Sequence, residues 1–223
     1  VHEPTTSVRL HVADSGDTLT ITPKQLVVAG YTARDADAVA EHIAELAAIG
    51  VPAPDTVPTF YDLDPALITT ESALSVTGPS TSGEAEPVVI RHNGHFYLAI
   101  GSDHTDRALE RADIAKAKAA CPKPLGESVI DLGTDLSIPD WDSVEMDSSV
   151  DGQPYQRGSL SALRHPSEIV DLMPAALRDG TGDLVLFCGT LPLIGGAFIH
   201  GSAWQVRLGL PDGRTLRHTY ETS

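Results

Sequence analysis

With 223 residues, the chain has room for one large domain, 41% hydrophobic residues to fill a core, and 19 Gly and 16 Pro to supply turns. Its formal charge of −16 argues against nucleic acid and anionic membrane surfaces as partners, because both bind through clustered Lys and Arg. No apolar run reaches the length of a membrane span, and the first residues lack the basic-then-apolar order of a signal peptide, so the cytoplasm is the expected location.

In chain order, residues 8–13 and 18–22 alternate as two short strands across an Asp-Ser-Gly-Asp turn. They suggest a small N-terminal β lobe over residues 1–28, ahead of a main domain over 29–223. Residues 27–29 read as a further short strand. Residues 35–49 carry Val39, Ile43, Leu46 and Ile49 at helical spacing, with Gly50 as a stop. On that helix His42 and Glu45 are three apart and share a face, a spacing that more often marks a surface pair than a catalytic one. Residues 61–70 read as a loop and short strand with a turn at Pro65, and residues 77–83 and 138–158 as loops or insertions.

The central stretch is residues 83–110. Glu84 and Glu86 stand two apart at the mouth of an apolar run, where strand geometry points both carboxylates to one face and they repel unless neutralised. Asn93-Gly94 is a hairpin signal, and the returning run ends at Gly101, so Asp103 is expected beside the two glutamates. Acidic residues at strand ends are usually just solvated. Three carboxylates around one point instead suit a hard divalent cation, Mg2+ or Mn2+. Residues 105–121 are mostly helical in pattern, and residues 165–178 read as a helix interrupted by Pro174. Trp141 and Tyr155 read as core aromatics rather than pocket walls. Residues 204–210 and 215–220 form a hairpin. His92, His95 and His104 match no standard zinc spacing. Cys121 and Cys188 are expected as reduced, buried thiols.

GEAEPVVI at Glu84 and Glu86, and SDHTDRALE at Asp103, resemble two motifs of the fumarylacetoacetate hydrolase superfamily. In the same order, HIAELAAIGVPAPDTVPTF resembles its H-x-x-E-L segment, KAKAACPKPLGE its lysine segment, and GDLVLFCGT its G-D-V-I-x-T-G-T-P strand and turn. The S-D-H-T-D-R and G-T-L-P variants look like those of a bacterial side branch. Ala108 stands where the superfamily has an aspartate, and Leu191 separates Thr190 from Pro192.

The resemblance implies a mainly β fold with α (α+β), a rolled mixed β-sheet with peripheral helices, and a homodimer. It implies a magnesium or manganese site of Glu84, Glu86 and Asp103. His42 would be the general base oriented by Glu45, and Lys118 would stabilise developing negative charge, with Lys116 and Lys123 as alternatives. Thr190, Gly189 and Arg107 would contact a small anionic 2-oxo acid. The implied reaction is hydrolysis of a carbon–carbon bond in an acylpyruvate-like acid through a metal-bound enolate. Decarboxylation, isomerisation or hydration of an oxaloacetate-like acid uses the same electron sink. A metal- or ligand-binding protein without turnover is the competing reading.

Overall fold

The computed structural model describes residues 7–48, 53–76, 78–138 and 140–223, with the side chains of His42, Glu45 and Leu46 outside the described set. Its longer strands are β1 (Val8–Val12), β2 (Thr18–Ile21), β3 (Pro23–Gly30), β4 (Thr59–Leu63), β5 (Ala85–His92), β6 (His95–Ser102), β7 (Ser128–Gly133), β8 (Glu145–Val150), β9 (Gln153–Ser159), β10 (Asp183–Phe187), β11 (Ala203–Gly209) and β12 (Thr215–Thr222). Eight of them form one mixed sheet in the order β2-β1-β7-β6-β5-β10-β3-β4. The pairs β1·β7 and β10·β3 are parallel, and the remaining neighbours are antiparallel. A second sheet runs β9-β8-β11-β12 and ends on the short strand Ala73–Leu74.

The main sheet is buried on both faces, which explains why β5 and β10 read as continuous apolar runs rather than alternating ones. Val88, Ile90, Val185 and Phe187 face one cluster, which also holds Val8, Leu10 and Ile21 from one end of the sheet and Leu63 from the other, as a sheet rolled round its own core requires. Val89, Leu184 and Leu186 face the opposite side, against Ile169 and Met173 of the helical segment α4 (Pro166–Leu172) and its end. A third cluster joins Leu98 and Ile100 of β6 to Met146, Val206 and Leu216 of the second sheet. The strands expected in a separate N-terminal lobe thus add to the edge of the main sheet and share its core.

Three further stretches differ from the sequence reading. β3 begins at Pro23, four residues before the expected strand at 27–29, and Tyr61 lies inside β4 rather than in a loop. Residues 138–158, expected as loop, contain the β8–β9 hairpin around Asp151-Gly152, both at positive φ (48° and 77°) as a tight hairpin turn demands. Ser148 faces inward there between Met146 and Val150, and a polar residue in the buried register hid the alternation. The helix expected over 35–49 is α1 (Ala36–Ala48). That over 105–121 is two short helices, α2 (Arg107–Glu110) and α3 (Ile114–Ala119), capped by the side chains of Asp106 and Asp113. The break at Pro174 falls between α4 and α5 (Ala175–Arg178).

Candidate active site

The β5–β6 hairpin turns at Asn93-Gly94, with φ of 50° and 81°, and pairs Ala85 with Ser102 and Glu86 with Gly101 at its far end. The pairing continues one step further, where the Asp103 amide donates to the Glu84 carbonyl at 2.9 Å. Glu84, Glu86 and Asp103 are therefore gathered at one end of the hairpin, as the spacing predicts. Glu86 and Asp103 are buried, and the Glu84 side chain is largely so. Gly83 makes this corner possible: a Cβ there would stand 2.3 Å from the Tyr220 hydroxyl and 2.4 Å from Ser102 Oγ.

Each carboxylate has its own counter-group. Asp103 accepts from the Lys118 ammonium on Oδ2, and Lys123 Nζ lies 3.2 Å from Oδ1. Burial alone would raise the Asp103 carboxyl, but the two ammonium groups hold it well below the usual carboxylate range. Glu84 Oε2 accepts from Arg107 Nη2 at 3.0 Å. Glu86 Oε2 accepts from the Gly189 amide at 2.7 Å, yet burial, and next the Asp103 charge, push its carboxyl well above the ordinary value. The charge of Glu84 acts in the same direction, so the three acids feel one another, which is the condition for holding a cation.

The three lysines left open by the sequence separate clearly. Lys116 is exposed and pairs with Asp113 on its own helix. Lys118, nearly buried on α3, faces Asp103 and stands 5.4 Å from the centre of the Tyr61 ring. Burial opposes its charge, but Asp103, Glu84 and Glu86 outweigh burial and raise its pKa. Lys123 is wholly buried and donates to the carbonyls of His104, Lys118 and Cys121 as well as facing Asp103. Burial lowers its pKa. It is a tie that fixes the loop after α3, whereas Lys118 donates to Asp103 alone among its described hydrogen bonds.

Arg107 and Thr190, expected to grip substrate, are committed elsewhere. Arg107 donates from Nε to Ser82 Oγ at 2.6 Å, from Nη1 to both oxygens of Glu110, and from Nη2 to Glu84 and the Ser82 carbonyl, with Phe198 over its face at 3.9 Å. It orients Glu84. The Thr190 hydroxyl donates to the Ala85 carbonyl at 2.9 Å and accepts from Gln156 Nε2 at 2.6 Å. Gly189 has φ +98°, and a Cβ there would stand 1.8 Å from Thr32 Oγ1. Its glycine character serves that close packing, which sets its amide to donate a hydrogen bond to Glu86. His42 and Glu45 lie on α1, and their side chains are outside the described residues.

Sequence reasoning missed Gln156, fully buried, whose Oε1 accepts from the Ala85 amide and from Ser148. It also missed Tyr61, its hydroxyl pushed up to about 12 chiefly by burial, and Glu110. Its strand does not alternate cleanly, with Tyr155 and Gln156 both buried in sequence, so no periodic signal pointed to Gln156. His104 is neutral in its pocket: its Nδ1 meets the Tyr220 hydroxyl at 3.1 Å and its Nε2 meets Thr81 Oγ1 at 3.0 Å. The zinc alternative fails on distance, since His92 and His95 face each other at the turn while His104 lies beyond the other end of β6, roughly 25 Å of extended chain away. Trp141 and Tyr155 are core residues, and both cysteines are free and buried.

Among the described residues no three of His, Cys, Asp and Glu are assembled as a ready cation site. The three acids expected as a triad share one end of the hairpin, where Arg107 pairs with Glu84 and Lys118 with Asp103. The donor set still suits a hard divalent ion, being all oxygen, mostly buried and mutually repulsive.

A family model described as a protein of unknown function (DUF2848) matches residues 29–220. No curated protein sequence matches. Among solved structures, the fumarylpyruvate hydrolase from Pseudomonas aeruginosa in complex with Mn2+ and pyruvate is 14% identical, with 100% of this chain and 98% of that one covered at a TM-score of 0.64. The 5-carboxymethyl-2-hydroxymuconate delta-isomerase from Mycobacterium smegmatis is 19% identical, with 94% and 86% covered at 0.59. At these identities the likeness is one of fold, and the fold is that of the fumarylacetoacetate hydrolase superfamily.

Proposed function

The chain belongs to the DUF2848 family of proteins of unknown function, and on that premise we propose that it is an enzyme cleaving a carbon–carbon bond in a small anionic 2-oxo acid with the help of Mg2+ or Mn2+. One observation carries the reading: Glu84, Glu86 and Asp103 converge with the Lys118 ammonium at the end of a hairpin, within a fold shared with a fumarylpyruvate hydrolase. A divalent ion held by those three carboxylates would supply a Lewis acid for the 2-oxo end of the substrate. Lys118 stabilises the negative charge that develops as the bond breaks. Arg107 fixes Glu84, Lys123 fixes Asp103, and the Gly189 amide fixes Glu86.

By the resemblance, His42 takes a proton from water while Glu45 steadies the imidazolium. The water oxygen adds to the carbonyl further along the substrate. The carbon–carbon bond breaks, its electron pair leaves with the 2-oxo fragment, and that carbon then takes up a proton. Isomerisation or decarboxylation, which needs no attacking water, is the second reading, and an isomerase of the same fold favours keeping it. We place the working form as a cytoplasmic homodimer, which sedimentation of the purified protein checks.

The test is turnover of acylpyruvates and of oxaloacetate with Mn2+ or Mg2+, followed by pyruvate release. Pyruvate and a second carboxylic acid from an acylpyruvate, abolished by chelator, is the expected result. Consumption of oxaloacetate alone would move the assignment to the second reading. No turnover of any 2-oxo acid at saturating metal would reduce the protein to a binding module.

A further inference from the structure

The Asp103 carboxylate is the most deeply held acid of the site, and one of its oxygens is taken by a group that sits on a short, separately capped helix. Lys118 reaches Asp103 Oδ2 from α3, whose start is fixed by Asp113 and whose last turn leads into the loop tied by Lys123. Lys123 is caged by three backbone carbonyls and has nowhere else to go. Lys118 donates to Asp103 alone among its described hydrogen bonds, and it borders the Tyr61 ring, which offers an ammonium a second favourable surface. The two lysines therefore divide the work: one is permanent, the other replaceable.

Resting on the metal reading above, we infer that Lys118 is an exchangeable counter-ion. The incoming divalent cation displaces its ammonium from Asp103 Oδ2 and so delivers that ammonium, charged, towards the substrate. The physical reason is balance of charge. With neither cation on Oδ2 Asp103 would face a buried repulsion from Glu86 and Glu84, and with both cations on one oxygen the site would carry two like charges in contact. Arg107 cannot play the same part, because its N–H groups are spread over Ser82, Glu84 and Glu110.

The experiment has two arms on the intact protein. Mn2+ affinity is measured by calorimetry for the unmodified chain, Lys118→Met, and the exposed control Lys116→Met. Exchange predicts tighter binding for Lys118→Met, on the order of tenfold, because the ion no longer competes with a buried partner, and no change for Lys116→Met. Equal or weaker binding by a folded Lys118→Met, with the unmodified chain still binding, overturns the exchange while leaving the metal reading intact. Binding by neither protein removes both.

The second arm needs no variant. Reductive methylation read by mass spectrometry should label Lys118 several-fold faster with saturating Mg2+ than with chelator, with Lys116 labelled equally in both. Unchanged labelling at saturating metal would mean that Lys118 stays on Asp103, and the inference fails.

Discussion

The two ends of the β5–β6 hairpin are built by different means. At the turn, Asn93 and Gly94 adopt left-handed φ and His92 pairs with His95, all within a few consecutive residues. At the open end, Glu84, Glu86 and Asp103 are held by Lys118 and Lys123 from the segment after β6, by Arg107 from α2, and by the Gly189 amide from the loop after β10. The turn is a local solution to a local problem. The open end is a buried charge network whose members come from distant segments, and it exists only once the sheet has closed.

Breaking the network should cost far more than breaking the turn. Lys123→Met leaves three carbonyls and one oxygen of Asp103 without their buried donor. We expect a loss of about 3–5 kcal/mol, the usual range for removing one partner of a buried pair. A lower denaturant midpoint at unchanged slope is the measurement.

The second effect depends on pH. Burial, and then the charges of Lys123 and Arg107, hold the His104 imidazole at about 3 against an ordinary 6.5. The unfolded chain therefore takes up this proton first on acidification. The stability tied to a neutral His104 is complete above pH 6.5 and is lost as the pH falls from there through about 3. Replacing His104 by Gln should flatten the stability–pH curve in that window by up to about 1.4 kcal/mol per pH unit. Parallel curves for the two proteins would contradict a buried neutral imidazole.

The turn comes last. Gly94→Ala places a Cβ at φ +81°, where nothing lies within 4 Å, so only backbone strain is incurred, about 1 kcal/mol. Thermal unfolding should show that small decrease, with ligand binding at the far end unaffected.

This contrast also explains what was legible in the sequence. The Asn-Gly turn, the two apolar runs and the meeting of Asp103 with the glutamates follow from strand period and turn chemistry, so they could be read directly. The break at Pro174 and the C-terminal hairpin were legible for the same reason. The β8–β9 hairpin was not, because inward-facing Ser148 and Gln156 satisfy each other and put polar residues where alternation demands apolar ones. Nor could spacing reveal that Arg107 serves Glu84 and Glu110, or that Thr190 serves Ala85 and Gln156. Those commitments depend on which groups arrive from elsewhere. Among Lys116, Lys118 and Lys123 only three-dimensional placement decides, since one is exposed, one faces the acids and one is caged.

The proposal that the three carboxylates form a metal and oxo-acid site can be broken in one experiment. It is tested most directly by calorimetric titration of Mn2+ with and without oxalate, an enolate mimic, into the unmodified chain, Asp103→Asn and Glu84→Gln. A working site gives metal binding by the unmodified protein, oxalate binding only when metal is present, and loss of both in each variant. Oxalate binding that is indifferent to metal, or metal binding that survives both substitutions, would contradict it.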